Sequence, residues 1–569
     1  MSAKRPLRVV LCWHMHQPQY LDPVSETYQL PWTYLHAIKD YVDMAAHLAE
    51  VPGARAVVNF APVLLEQLAD YAAQIRNHLA DGSPIQDPLL AALDNPSPPA
   101  GEDERLALVR DCVRANRQHL IERFPAYHRL ARMVDWLEEE PAAMMYMDDQ
   151  FIADILTWYH LAWMGETVRR EDPRIRGLQE KGAGFTIEDR RHLLSIIGEL
   201  LEALPERYQG LANEGRIELA MNPYAHPIGP LLQDFASARE SLPEIPLPES
   251  GDYPGGEDRL RWHIERGQAV FKNYFGFSPR GCWPAEGAVS EPTLRLLSEY
   301  GFEWAATGEG VLGQSLGEAY DRYGHDAGAS LCHPYRLDEG GTACFFRDDE
   351  LSDLIGFQYS GWHAEDAVGD LVQRLEAIHA HTADHPDPVV PIILDGENAW
   401  EHYPENGDPF LKGLYSHLVA HPDIELTTFS QALDDGVAVN PLPRLVAGSW
   451  VYGNLSTWIG DKDKNRGWDI LVAAKEAYDR AVAEGLSGDD LEAATQQLAI
   501  CEGSDWFWWF GDYNPADIVR DFERLYRLHL SRLYRLIDVQ PPEYLAHTFA
   551  HGSGQPTHGG VMRPGQPHE

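Results

Sequence analysis

Positively charged residues are scarce in this chain. Its 569 residues include 46 Lys and Arg against 88 Asp and Glu, which gives a formal net charge of -42. A surface this acidic repels phosphate backbones and anionic membranes, so we expect no nucleic-acid or membrane partner. Long hydrophobic runs are missing too, and the apolar stretch at 9–13 is too short for the core of a signal peptide. The sequence therefore predicts a cytoplasmic protein with a neutral partner.

Cysteine is equally sparse, because the chain has 6 and they lie far apart with no C-x-x-C pair. This spacing argues against a disulfide framework and is typical of buried free thiols in a reducing compartment. The sequence also lacks a Walker loop, a dinucleotide-binding fingerprint and the G-x-S-x-G turn of serine hydrolases. Nucleotide-dependent chemistry and a serine nucleophile are therefore disfavoured. Nothing in the sequence indicates an oligomeric state.

Seven short apolar runs separated by helical patterns predict parallel strands that are buried on both faces. These runs are 7–13, 54–60, 217–221, 281–283, 304–307, 343–347 and 389–394. Helical patterns such as 37–50, 258–275 and 291–300 lie between them. Strands that alternate with helices favour an α/β barrel or a doubly wound sheet.

The domain organisation follows from where this alternation stops. Residues 1–440 contain all seven strands, with a helical insertion at about 61–214 that includes a Pro-, Asp- and Ser-rich surface loop at 81–101. Residues 441–543 carry only helical patterns and predict a separate helical domain. The Gly-, Pro- and His-rich segment 544–569 is expected to be a mobile tail.

Polar or aromatic side chains follow five of the seven predicted strands. Because the active site of an α/β barrel lies at the carboxyl ends of its strands, we expect these side chains to meet there. A buried strand end gains nothing from unpaired polar groups, so packing alone does not account for five of them. The side chains concerned are His14 and His16, His226, Glu286, Asp348 and Asp349, and Asp395 with Trp400.

Glu286 and Asp395 each come directly after a strand, with a Gly next and a Trp nearby. Two carboxyls facing each other across a barrel mouth meet the requirement of glycoside hydrolysis: one protonates the leaving oxygen and the other attacks the sugar carbon or activates water. A surface charge or a helix cap is the alternative for each of them. Likewise, Trp283 and Trp400 are either flat platforms for sugar rings or core residues.

A metal site is the competing interpretation. His14 and His16 have the spacing of a metal-binding pair, and with His226 and Asp395 they could bind zinc or iron. Gln17 and Pro18 directly after the pair shape a turn and argue against this site. A metal-dependent enzyme would lose its activity on chelation.

Five short segments, in order, resemble the motifs of glycoside hydrolase family 57, which includes α-amylases, amylopullulanases, 4-α-glucanotransferases and branching enzymes. Any one of these motifs is weak evidence, whereas all five in register are strong evidence. The similarity extends over about 7–538. The segments are His16-Gln17-Pro18, Gly215-Arg216-Ile217-Glu218-Leu219, Cys282-Trp283-Pro284-Ala285-Glu286, Leu394-Asp395-Gly396-Glu397-Asn398-Ala399-Trp400 and Glu502-Gly503-Ser504-Asp505-Trp506-Phe507-Trp508-Trp509.

The resemblance implies an incomplete (β/α)7 barrel followed by a helical bundle, with Glu286 as nucleophile and Asp395 as general acid/base. It also implies sugar-binding roles for His16 and Glu218 on the floor of the site, and closure of the cleft by Asp505 with Trp506. No metal or other cofactor is implied. From their positions we add four further substrate-binding candidates: His14, His226, Trp283 and Trp400.

The function expected from the resemblance is retaining hydrolysis of α-1,4 linkages in starch, glycogen or maltodextrins, with α-1,6 linkages as additional substrates. The residues of these motifs look closer to those of the α-amylase and amylopullulanase branch than to those of the glucanotransferases or branching enzymes. A 4-α-glucanotransferase or branching-type transglycosylase is the main alternative, since it uses the same intermediate, and we expect the loop at 230–256 to decide between the two. More remote alternatives are a metal-dependent carbohydrate hydrolase or deacetylase and a non-catalytic glycan-binding protein.

Overall fold

Seven parallel strands form the central sheet of the computed structural model, which describes residues 5–324 and 326–554. They are ordered β7-β1-β2-β3-β4-β5-β6, and every neighbouring pair is parallel. The strands are β1 Leu7–Met15, β2 Ala56–Phe60, β3 Ile217–Met221, β4 Gly281–Cys282, β5 Trp304–Gly308, β6 Ala343–Arg347 and β7 Val389–Asp395.

The barrel is not closed by a hydrogen-bonded ladder between β6 and β7 in the described part of the chain. Two single contacts join them: the Asp348 N–H donates to the Pro391 carbonyl at 2.8 Å, and Arg347 Nε donates to the Ile393 carbonyl at 2.7 Å. This open arrangement confirms the predicted incomplete (β/α)7 barrel. Three short strands extend the central sheet: Tyr335–Arg336 and Asn440–Pro441 beside β6, and Ile424–Leu426 beside β1. Two others, Leu21–Asp22 and Thr27–Tyr28, form a separate antiparallel pair.

Strand β4 is the shortest barrel strand and depends on a glycine. A Cβ on Gly281 would lie 1.8 Å from the indole ring of Trp304, so only glycine lets β4 reach β5 at this point. The indole of Trp304 fills the barrel interior together with Phe429, whose ring centroid is 4.4 Å away. The close approach of β4 brings the turn that follows it, at 285–287, to the carboxyl end of the barrel.

The insertion between β2 and β3 is mainly helical, as predicted, but the expected loop at 81–101 is only partly a loop. It contains the helix Pro88–Leu93, where the Asp87 carboxylate caps the N-terminus and Leu89, Leu90 and Leu93 are buried. The last helix of the insertion, Ile187–Asn213, continues through Pro205. The insertion helices are Pro62–Asp81, Pro88–Leu93, Glu102–Asp111, Pro125–Glu139, Asp149–Ala162, Glu166–Glu171, Pro173–Lys181 and Ile187–Asn213.

Helices that follow the barrel strands pack around the sheet. They are Trp32–His36, Val42–Glu50, Gly229–Gln233, Gly256–Phe275, Glu291–Glu299, Glu309–Leu316, Asp349–Asp353, Ala364–His381, Asp408–Ala420 and Phe429–Asp434. Two wider π-type turns occur among them, Ala37–Tyr41 and Leu354–Gln358. The second of these lies beside the cleft described below.

The C-terminal region forms a helical bundle, which we define by the helices Lys462–Glu484, Gly488–Cys501, Ser504–Trp509 and Ala516–Leu536. The expectation of a mobile tail from 544 is wrong for its first part, because Leu545 and Ala550 are buried against the bundle and the Phe549 ring centroid lies 5.0 Å from that of Phe510. Residues 555–569 lie outside the described residues.

All six cysteines are free and buried in the described structure. Among the same residues, no helix combines the length and the apolar character needed to cross a membrane.

Candidate active site

A cleft with a cavity volume of about 320 Å³ opens at the carboxyl ends of the barrel strands and is completed by the bundle. This volume lies at the lower end of the ~300–1,000 Å³ of common small-molecule pockets. The predicted site residues that line it are His14 and His16 from β1 and its end, Glu286 after β4, Asp395 at the end of β7 and Asp505 from the bundle.

Glu286 lies in the turn after β4 in a left-handed conformation, with φ 57° and ψ 23°. A non-glycine residue with this backbone is strained by roughly 1–3 kcal/mol, and such strain persists where the surrounding structure fixes it. Trp450 does so here, because its indole Nε1 donates to Glu286 Oε2 at 2.9 Å and its backbone N–H donates to the Glu286 carbonyl at 3.2 Å. The carboxyl is thereby directed into the cleft, with 15% of the side chain exposed.

Asp395 is the last residue of β7 and pairs in register with His14 on β1. Its carboxyl accepts a hydrogen bond from Asn398 Nδ2 at 3.1 Å. The strand end therefore brings this second carboxyl to the same cleft as Glu286.

Burial raises the pKa of both carboxyls. The pKa of Asp395 rises to about 6, and that of Glu286 rises to about 8 because the negative charge of Asp395 adds to the effect of burial. Between these two values the pair carries one proton, which is the state that acid-assisted nucleophilic attack requires. Carboxyls with separated pKa values are typical of a catalytic pair.

Three histidines stack behind this pair. The ring centroids of His16 and His226 are 3.9 Å apart, and those of His14 and His226 are 5.1 Å apart. Burial lowers the pKa of His14 to about 3 and that of His226 well below its usual value, so both rings are neutral. His226 Nδ1 lies 3.8 Å from Glu286 Oε1, which places the stack directly beside the proposed nucleophile.

The stack also connects the barrel to the bundle. His16 Nε2 lies 2.9 Å from both carboxylate oxygens of Asp505, and His226 Nδ1 lies 2.8 Å from the Ser504 hydroxyl. His14 Nδ1 is held at 2.7 Å from Asn59 Oδ1 on β2. Asp505 therefore lines the cleft, as predicted, and contacts His16 there.

Trp506 does not line the cleft, contrary to expectation. Its indole is 1% exposed and its Nε1 donates to the Ile500 carbonyl at 2.8 Å, inside the bundle. Trp508 and Trp509 line the cleft instead. The helix Ser504–Trp509 explains the difference, because residues three and four positions after Asp505 share its face while Trp506 points the other way.

Trp283 and Trp400 are core residues rather than sugar platforms, so the prediction for both is wrong. Trp283 is 0% and Trp400 is 1% exposed, and neither lines the cleft. Trp400 Nε1 donates to the Gly396 carbonyl at 2.9 Å and its ring packs edge-on against Trp13. These two residues pack under the turns that carry Glu286 and Asp395 and do not line the cleft.

Glu218 lies at the opposite end of the barrel, so its predicted place in the floor of the site is wrong. It is the second residue of β3, whereas Met221, at the end of that strand, pairs with Cys282 beside the cleft. Its carboxylate accepts hydrogen bonds from Trp304 Nε1 at 2.6 Å and from the Ser430 N–H at 2.9 Å. Glu218 thus holds the large indole that fills the barrel.

Several residues that line the cleft were not assigned from sequence. Arg347 at the end of β6 places its guanidinium 5.3 Å from the ring centroid of Trp450. Tyr452 and Phe357 are 43% and 37% exposed and lie along the same cleft. The polar end of β6 was noted from sequence, but the segment around Trp450 carries no strand or motif signal. The aromatic residues of the cleft are Trp32, Phe357, Trp450, Tyr452, Trp508, Trp509 and Phe522 with Tyr20.

The loop at 230–256, expected to decide between hydrolysis and transglycosylation, does not line the cleft. It packs against the bundle, where the Ser250 N–H donates to Asp469 at 2.9 Å. The segments around Phe357 and Tyr452 line the cleft instead.

A pair of buried carboxyls that shares one proton, at the mouth of a parallel barrel and between aromatic walls, is the arrangement of enzymes that cleave glycosidic bonds. The sequence model of Glycosyl hydrolase family 57 matches residues 10–442, and the chain belongs to this family.

Solved structures of similar fold extend over nearly the whole chain. A GH57 branching enzyme from Thermococcus kodakaraensis is 16% identical, with 93% of this chain and 90% of that chain covered at a TM-score of 0.58. The α-amylase AmyC from Thermotoga maritima is 14% identical, with coverages of 94% and 93% and a TM-score of 0.56. A 4-α-glucanotransferase from Thermococcus litoralis is 14% identical, with coverages of 93% and 60% and a TM-score of 0.51. The search of curated proteins gave no match.

Proposed function

We propose that this protein is a retaining glycosidase of α-glucans, with Glu286 as nucleophile and Asp395 as general acid/base. The observation that carries the proposal is the buried pair in one cleft, whose pKa values of about 6 and about 8 leave a single shared proton near neutral pH. The α-glucan substrate is inferred from the branching enzyme, α-amylase and glucanotransferase of similar fold.

In the first step Asp395 donates its proton to the leaving glycosidic oxygen while Glu286 attacks the anomeric carbon, which gives a β-linked glycosyl-enzyme and a free sugar hydroxyl. In the second step Asp395 accepts a proton from water as the water oxygen attacks the anomeric carbon and Glu286 leaves. The product has the same anomeric configuration as the substrate.

This mechanism requires the shared proton to be on Asp395 when the sugar is bound. In the free protein the higher pKa of Glu286 favours the other position. Two contacts work in the required direction: the Trp450 indole stabilises ionised Glu286, and the leaving oxygen of a bound sugar gives protonated Asp395 an acceptor. Substrate binding is therefore expected to move the proton from Glu286 to Asp395.

The walls of the cleft suit a neutral polysaccharide. Aromatic side chains offer flat apolar faces to sugar rings, and their polar edges remain available for hydrogen bonds. With a net charge of -42 the surface does not favour anionic polymers. We propose α-1,4 linkages in starch, glycogen or maltodextrins as the main substrate and α-1,6 linkages as a second one.

Transglycosylation is the second candidate activity, and the exposed aromatic residues at the cleft favour it. Tyr452 and Phe357 can hold an incoming sugar whose hydroxyl then replaces water in the second step. The glycosyl-enzyme intermediate is the same in both reactions, so only the acceptor differs.

Product analysis tests this proposal. The wild type, Glu286→Gln and Glu401→Gln are incubated with maltoheptaose, soluble starch and pullulan, and the products are separated by size. Glu401 is a matched control, since it is buried outside the cleft lining and burial raises its pKa to about 8 as well. Shorter sugars from the wild type and the control, with none from Glu286→Gln, support a hydrolase. Longer sugars indicate a transferase, and intact substrates in every sample overturn the assignment.

Azide rescue tests the two roles separately. With α-maltosyl fluoride and azide, an Asp395→Ala enzyme still forms the glycosyl-enzyme, which azide attacks to give the α-maltosyl azide. A Glu286→Ala enzyme has no nucleophile, so azide attacks the substrate directly and gives the β-maltosyl azide. If the two variants give the opposite anomers, the roles of Glu286 and Asp395 are exchanged.

A further inference from the structure

His16, His226 and Asp505 form a compact group of metal-binding side chains at the junction of barrel and bundle. One ligand atom from each residue lies within 4.8 Å of the others. His16 Nε2 is 2.9 Å from both oxygens of Asp505, and the imidazole of His226 lies parallel to that of His16 at 3.9 Å. Two imidazoles and a carboxylate are a ligand set that suits Zn²⁺, Cu²⁺ or Ni²⁺.

A second observation also points to a ligand. His226 Nε2, His16 Nδ1 and His14 Nε2 are all buried and have no hydrogen-bond partner among the described residues. An unpaired buried nitrogen costs roughly 1–3 kcal/mol, and three of them in one ring stack are unusual in a folded protein. A cation that binds His226 through a ring nitrogen would remove part of this cost.

We propose that His16, His226 and Asp505 bind a divalent transition-metal ion and that the bound ion inhibits the enzyme. The ion replaces the proton that His16 Nε2 shares with Asp505, and this proton is released to the solvent. His226 also lies beside Glu286, with Nδ1 3.8 Å from Glu286 Oε1, so an ion bound to this imidazole places positive charge next to the carboxylate. That charge stabilises the carboxylate and weakens its attack on the anomeric carbon.

This site differs from a catalytic metal centre built on Asp395. The Asp395 carboxyl accepts its hydrogen bond from Asn398 and does not belong to the group within 4.8 Å. The two interpretations predict opposite effects of a chelator: a catalytic ion makes chelation abolish activity, whereas an inhibitory ion makes chelation restore it. Metal binding itself does not depend on the proposed function, whereas the inhibition does.

Cobalt titration tests the binding. Chelator-treated full-length protein is titrated with Co²⁺, and the visible absorption of the bound ion is recorded for the wild type, His226→Gln and Asp505→Asn. His333→Gln is the matched control, because His333 is a buried histidine with both ring nitrogens unpartnered at a different place in the barrel. We expect a single tetrahedral Co²⁺ in the wild type and the control, and a Kd raised at least tenfold in the other two variants.

Zn²⁺ inhibition of maltoheptaose cleavage completes the test. We expect inhibition of the wild type and of His333→Gln that a chelator reverses. Binding that is absent, or that is unchanged in both His226→Gln and Asp505→Asn, overturns the proposal, as does binding without inhibition. If Co²⁺ binds normally but the protein cleaves no α-glucan, the metal site is supported and the proposed function is refuted.

Discussion

The indole of Trp450 donates the hydrogen bond that favours the ionised form of Glu286. Its N–H donates to the carboxyl at 2.9 Å and counteracts the increase in the Glu286 pKa that burial causes. A hydrogen bond to an ionised group is worth ~1.5–3 kcal/mol. The residue is therefore expected to act on catalysis through Glu286.

For Trp450→Phe, which keeps a ring but removes the N–H, we expect kcat/KM to fall by about tenfold to a hundredfold. The pKa of Glu286 should rise further, so the alkaline limb of the pH profile should move to higher pH. Rate measurements from pH 5 to 10 check both effects. Trp509→Phe is the control, because Trp509 lines the same cleft but has no hydrogen bond to Glu286 among the described residues. This substitution should leave the alkaline limb unchanged. An unmoved limb in Trp450→Phe would contradict the role of the indole.

The pH dependence of the wild type is a second prediction at this scale. The reactive form carries one proton on the pair, so kcat/KM should be highest between about pH 6 and about pH 8 and should fall on both sides. Below this range both carboxyls are protonated and no nucleophile is present, and above it no acid remains. The profile of Glu401→Gln is the control, because the Glu401 carboxyl also has a pKa of about 8. We expect this substitution to leave the alkaline limb unchanged, and its loss would assign that limb to Glu401.

Single residues differ in how far the sequence predicts them. Glu286 and Asp395 could be found because each directly follows a buried strand, and strand ends meet at the barrel mouth. Trp450 could not, since its contact with Glu286 joins residues 164 positions apart. The sequence also contains the signal for Trp508 and Trp509 in place of Trp506, because helical spacing from Asp505 selects these two residues.

At the scale of elements, the short helix Ser504–Trp509 determines the bundle side of the cleft. It is held at its C-terminal end by Lys464, whose buried ammonium donates to the backbone carbonyls of Phe507 at 2.7 Å, Trp508 at 3.4 Å and Thr457. An ammonium has three N–H donors, and all three are used here.

For Lys464→Met we expect a loss of about 2–4 kcal/mol in the free energy of unfolding, since buried carbonyls lose their donor. Trp508 and Trp509 should become less fixed, so KM for maltoheptaose should rise more than kcat falls. Urea unfolding and steady-state kinetics measure the two effects. Lys475→Met on the same helix is the control: that ammonium pairs with Asp479, which is 45% exposed, and its removal should leave KM unchanged.

Elements were predicted better than side-chain positions. The barrel strands agree with their predicted bounds to within two residues, because fully buried strands are continuous apolar runs. The helix Pro88–Leu93 was missed because its flanks are rich in Pro, Asp and Ser, which are typical of loops. The same residue types also start helices: Asp87 is the N-cap and Pro88 is the first helical position.

At the scale of the whole molecule, one buried carboxylate joins the barrel to the bundle. Glu502 is 0% exposed and accepts hydrogen bonds from Arg259 at 2.8 and 2.9 Å, from Tyr253 at 2.6 Å and from His263 at 2.7 Å. Burial acts to raise its pKa, but Arg259 and His263 outweigh burial and lower it to about 2. These partners belong to the barrel helix Gly256–Phe275 and the loop before it.

For Glu502→Gln we expect a loss of about 3–5 kcal/mol in the free energy of unfolding at pH 7, because Arg259 is left buried without its counter-charge. Since the folded pKa is depressed, the carboxylate contributes its stability above pH ~4.5, and this contribution, on the order of 3 kcal/mol, is lost as the pH falls toward 2. Urea unfolding from pH 5 down to pH 2 should show the wild type and the variant converging. Glu523→Gln, which removes a carboxylate paired within the bundle, should leave barrel and bundle resistant to proteolytic separation.

The position of Asp505, Trp508 and Trp509 after the barrel in the chain has a consequence for biosynthesis. At ~5–20 residues per second, a ribosome adds the stretch between Asp395 and the end of the bundle at Leu536 over an interval on the order of ten seconds. Throughout that interval the emerging chain carries Glu286 and Asp395 but not the part of the cleft that Asp505, Trp508 and Trp509 line. We therefore expect a chain that is interrupted in this interval to lack the proposed glycosidase activity.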